Sequence, residues 1–150
     1  MRIAAVLLLL ATALPAAAAA GPSPEQLFKQ FGLFGTWASD CAAEPSPANP
    51  HVRISQPAPG VILEDNDIGP DNVVNRYSIL AAEQLSATQL AVQVIFQPGK
   101  EGEERQKLVW SVHEGTLRTL FNQPQGGPVR VKDGVAVGYG SKTPLLKKCE

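Results

Sequence analysis

Histidine and cysteine are scarce in this chain: two of each in 150 residues, with one methionine and aromatic residues at only 6%. That scarcity leaves few ligands for a transition metal, since only His51 and His113 could join Cys41 and Cys149, and the four do not stand at ligand spacing. Also missing are Gly-x-Ser-x-Gly, His-Glu-x-x-His and a glycine-rich phosphate loop with its lysine. Neither histidine has an identifiable orienting partner, so no nucleophile, base or metal set can be named. The chain is therefore expected not to be an enzyme and to use no cofactor or metal. A clustered basic surface is lacking as well: 13 Lys+Arg face 14 Asp+Glu, and the lone group of Lys142, Lys147 and Lys148 reads as a solvated face. Nucleic acid is not an expected partner.

What is present begins with a leader. Arg2 precedes the apolar run Ile3 to Leu14, and Pro15 with small residues through Ala20 follows, the three zones of a secretory signal peptide. The run is too short to span a bilayer. Cleavage near Ala20 leaves residues 21–150, with 13 − 1 = 12 basic groups against 14 acidic once Arg2 is lost. That length suits one domain, expected to be a periplasmic or secreted monomer with no membrane anchor.

In an oxidising compartment Cys41 and Cys149 are expected to form a disulfide joining the start of the domain to its end. Closing so long a loop stabilises by up to about 4.7 kcal/mol in the chain-entropy account.

A short helix opens the mature chain: Ser23 can cap it, Pro24 suits its first turn, and Leu27, Phe28 and Phe31 share a face before Gly32 ends it. Thereafter the pattern has period two, the mark of strands with one buried face. Leu90, Val92, Val94 and Phe96 point one way, as do Leu108, Trp110 and Val112 in the next strand. Further strands are predicted over Phe34 to Asp40, Val52 to Gln56, Val61 to Asp65, Val73 to Leu80, Thr116 to Phe121, Val129 to Lys132 and Val135 to Tyr139, separated by Gly- and Pro-rich turns. The residues after Gly140 read as a tail. The fold class is mainly β: an antiparallel meander of about eight strands, closed into a barrel that hides its edges. An open sandwich is the alternative.

The stretch Phe31-Gly32-Leu33-Phe34-Gly35-Thr36-Trp37, a helix leading into Gly-x-Trp, resembles the opening of lipocalin-type barrels of the calycin group. The resemblance implies that Gly35 and Trp37 form the barrel-closing motif, with an arginine from a late strand, Arg118 or Arg130, set against the tryptophan. Phe31 to Cys41 with the terminal Lys148-Cys149 also resembles small exported bacterial proteins. A lipocalin-like fold implies a small hydrophobic ligand, and inward-pointing Phe96, Trp110, Val137 and Tyr139 are the candidate lining. A periplasmic protein partner, as for small protease-inhibiting barrels, is the alternative. The acids Glu64, Asp65 and Asp67 lack the glycine an EF-hand needs and read as solvated groups at a hairpin tip, as do Glu101, Glu103 and Glu104.

Overall fold

The computed structural model describes residues 21–149; the leader expected over residues 1–20 lies outside them. Helix α1 (Pro24–Gln30) forms as its sequence dictates. Ser23 accepts a hydrogen bond from the Gln26 amide while the Gln26 side chain accepts one from the Ser23 amide, a reciprocal capping box. Pro24 occupies the first turn, where no amide hydrogen is needed.

Ten strands follow: β1 (Gly35–Ala38), β2 (His51–Ala58), β3 (Val61–Asp67), β4 (Asn75–Gln84), β5 (Gln89–Phe96), β6 (Glu104–His113), β7 (Thr116–Pro124), β8 (Val131–Lys132), β9 (Val135–Ala136) and β10 (Leu146–Cys149). Each of β1 to β7 pairs antiparallel with the next. Glu114 and Gly115 both take positive φ, 47° and 72°, the geometry that lets a two-residue turn match the twist of β6 and β7. Short β10 pairs with β1 through Thr36↔Cys149 to Ala38↔Lys147, and with β7 through Leu117↔Leu146 and Thr116↔Lys147. It thereby shuts a barrel of eight antiparallel strands, with the β8–β9 hairpin appended to β7.

The tail is thus the closing strand. Lys147 and Lys148 gave its four residues no apolar alternation, so the sequence pattern hid it. The expected strand over Val135 to Tyr139 is only the two residues of β9, because positive φ at Asp133 and Gly134 tightens the preceding turn and the chain leaves the sheet after Ala136.

The seam at β10 has few ladder hydrogen bonds and is reinforced covalently. Cys41 and Cys149 form a disulfide across 108 positions of sequence, with Cα atoms 5.6 Å apart. Lys148 adds a second tie: its Nζ donates to the Gly32 carbonyl at 2.7 Å and sits 5.5 Å from the centroid of the Trp37 ring. The Trp37 indole in turn donates to the Leu33 carbonyl at 2.8 Å. Lys148 therefore stands where the lipocalin resemblance implied an arginine. Arg118 bonds to Thr143 and the Gly134 carbonyl, and Arg130 to Glu104.

The two ends of the barrel differ. The β2–β3, β4–β5 and β6–β7 turns lie at one end, and α1 covers it: Gln30 reaches Gln84 at the end of β4, and Phe28 packs edge-on against Trp110 with ring centroids 5.9 Å apart. Leu27, Phe28, Leu33, Trp37, Leu90 and Val92 are buried there in one continuous core. The opposite end is the mouth.

Candidate functional site

A cavity of about 360 Å³ occupies the mouth. Val52, Leu108, Trp110, Leu117 and Leu146 make its apolar floor, and Glu64, Asn66, Asn75, Gln106 and Asn122 contribute polar groups from β3, β4, β6 and β7. These side chains share the interior because strand residues two apart face the same way. Ile62, Glu64 and Asn66 alternate on β3, as Gln106, Leu108 and Trp110 do on β6.

Glu64 is the chemically distinctive member. It is only 7% exposed, and its Oε2 is buried without a hydrogen-bond partner. Burial, and then the neighbouring charge of Asp65, push its carboxyl up to about 7, because an ion in a poorly solvated site favours its neutral form. Arg76, beside Tyr77 on β4, gives no relief. It is held in a two-pronged pair by Asp65 on the outer face, at 2.6 and 2.9 Å.

Glu64 begins a row of cross-strand neighbours. Tyr77 lies opposite it on β4, Phe96 opposite Tyr77 on β5, and Glu104 opposite Phe96 on β6. The Tyr77 and Phe96 rings stack at a tilt, 5.1 Å between centroids. Burial, and then the charge of Glu64, raise the Tyr77 phenol well above its usual range, so it stays a neutral donor.

From Glu104 a hydrogen-bond relay runs inward. Arg130 grips its carboxylate with two bonds, at 2.8 and 2.9 Å. Gln106 Nε2 donates to the same carboxylate at 2.7 Å, and Asn122 Nδ2 donates to Gln106 Oε1 at 2.8 Å. A carboxylate only accepts, so each amide in this chain has one permitted orientation. The relay ends on Asn122 Oδ1, buried and without a partner. Asn66 Oδ1 and Gln97 Oε1 are likewise unpartnered. Such groups are uncommon in folded proteins because each forfeits its hydration without return.

Phe96 and Trp110 line this cavity, as read from the sequence. Val137 and Tyr139 do not: they stand beyond the end of β9, 57% and 91% exposed, so that part of the expected lining is corrected. Gly35 and Trp37 belong to β1 and the core rather than to the lining. Glu64 was read as a solvated tip residue and lines the cavity instead, whereas Glu104 lies outside the lining and holds Gln106 and Arg130. The signal was Glu64's position two residues after Ile62 and two before Asn66 on one face of a strand. His51 and His113 lie outside the cavity lining, His51 beside Asn49 and His113 beside Glu114.

Among the described residues, no group of three or more His, Cys, Asp or Glu is placed to hold a metal ion, and no helix is long and apolar enough to cross a membrane. The disulfide is compatible with an oxidising compartment. No family model, curated protein or solved structure matches the chain.

Proposed function

We propose that this is an exported, lipocalin-like binding protein that holds a small, largely apolar molecule in the mouth of its barrel. The observation that carries the reading is the cavity of about 360 Å³ in which a buried Glu64 carboxylate has no protein partner. A cavity of that size falls at the small end of the range for ligand pockets, which combine apolar walls with a few placed polar groups. Export is supported by the leader pattern of residues 1–20 and by the disulfide. The test is displacement of a solvatochromic dye by a series of short-chain apolar molecules, with native mass spectrometry for stoichiometry. One-to-one displacement is expected, and failure of every apolar compound to bind overturns the reading.

A second reading, a periplasmic protein-interaction or protease-inhibitor-like module, is favoured by one observation: Val137 and Tyr139 project from the segment after β9. Its test is a pull-down from periplasmic extract with the native chain and with Tyr139→Ala. A defined partner lost on substitution supports this alternative, and its absence removes it.

A further inference from the structure

The mouth leaves buried acceptors without donors, and these name the ligand's polar end. Three cavity-lining residues, Glu64, Asn66 and Asn122, each have a side-chain oxygen that is buried and unpartnered. For Asn122 the assignment is forced, since reversing its amide would set its oxygen against Gln106 Oε1, and Gln106 cannot turn without losing Glu104. None of the nearby arginines is paired with Glu64. Arg130 is neutralised by Glu104 and Arg76 by Asp65, while Arg118, also in the lining, is held by Thr143 through Nε and by the Gly134 carbonyl through one terminal nitrogen. The same cavity presents three aromatic rings, Tyr77, Phe96 and Trp110, whose faces attract cations.

We infer that the ligand is an organic ammonium, a protonated amine on a short apolar body, whose N–H groups are received by the Glu64 carboxylate beside the Tyr77 ring while its hydrocarbon part rests on Leu108 and Trp110. A buried carboxylate is stable only when paired, and no lysine, arginine or histidine among the described residues forms an ion pair with Glu64. The groups facing Glu64 are consistent with this assignment. β2 places Ile54 opposite it, β4 places Tyr77, and Asp65 beside it on β3 is paired outward with Arg76.

The inference rests on the reading of the cavity as a ligand site, and one experiment separates the two. Octylamine, octanol and octanoate share a hydrocarbon chain and differ in head group. Their affinities for the native protein and for Glu64→Gln are measured by calorimetry at pH 7.5. Glu64→Gln keeps the side-chain shape and removes the unpaired charge, so the variant is expected to fold; its circular dichroism and melting curve are recorded alongside.

The expected result is octylamine tighter than octanol by roughly tenfold or more, as charge-assisted hydrogen bonds provide, with octanoate weakest. In Glu64→Gln the amine should lose that advantage while octanol holds its affinity. Octanol or octanoate binding the native protein as tightly as the amine overturns the ammonium assignment and leaves the ligand site standing. A preference for amine that survives Glu64→Gln also overturns it. If none of the three binds, the binding function itself falls.

Discussion

At the helix-covered end Phe28, Leu33 and Trp37 are 0%, 0% and 1% exposed, and the Trp37 indole has its hydrogen bond. Three of the four buried side-chain polar atoms that lack a partner among the described residues line the mouth, those of Glu64, Asn66 and Asn122, and the fourth, on Gln97, directly follows β5. One end is finished as a protein core; the other is left incomplete in one chemical sense, short of donors. Sites that depart from good core construction are where function is expected, because the departure costs stability and nothing structural returns it.

The sharpest way to break the comparison is to damage the finished end. Phe28→Ala removes a fully buried ring that touches Phe34 and Trp110, and should lower unfolding free energy by about 3–5 kcal/mol in urea titration. Loss of less than ~1 kcal/mol would mean that α1 is not part of the barrel's core. Next is the seam. Replacing both Cys41 and Cys149 by serine should destabilise by about 2–5 kcal/mol, read as a lower melting temperature. An unchanged value would leave the closure of β10 to its hydrogen bonds and Lys148.

Glu64→Gln should act with the opposite sign. The carboxyl of Glu64 has its ordinary value near 4.5 when unfolded and about 7 when folded, so the folded state holds its proton more tightly. The native protein is therefore most stable below pH 4.5 with respect to this group, and loses stability as pH rises toward 7. The full penalty, about 3 kcal/mol at 1.36 kcal/mol per pH unit, is reached above pH 7. The glutamine variant lacks it and should be the more stable protein at pH 8, with the difference vanishing near pH 4. Equal stability at both values would show Glu64 to be compensated. Smallest is Tyr139→Ala: the residue is 91% exposed, and its loss should shift unfolding by no more than about 0.5 kcal/mol.

How much of this was legible in the sequence follows from what each part depends on. The long central strands were legible because Leu90, Val92 and Val94 alternate with residues on the other face, and β6 repeats the pattern with Leu108, Trp110 and Val112. Helix α1 was legible from Ser23, Pro24 and its apolar face. The disulfide followed from there being two cysteines and from the leader expected before them. β10 was not legible, since its place in the sheet comes from pairing with β1 and β7, more than a hundred and about thirty residues away respectively, and its lysines look like surface. Val137 and Tyr139 misled for the converse reason, showing strand-like alternation without a partner strand. Glu64 misled because acids near turns are usually solvated. Only the register that carries Glu64 onto the inner face, opposite Tyr77, turns it into a site residue.

The contrast between the ends is tested most directly by mapping where an apolar amine touches the protein in solution. Titration of isotope-labelled protein with octylamine should move the Trp110 indole, the Asn122 side-chain amide and the backbone amides around Glu64 and Tyr77, while Phe28 and Leu33 stay fixed. Shifts gathered on α1, or on the outer face around Tyr139 with the mouth unmoved, would contradict the account.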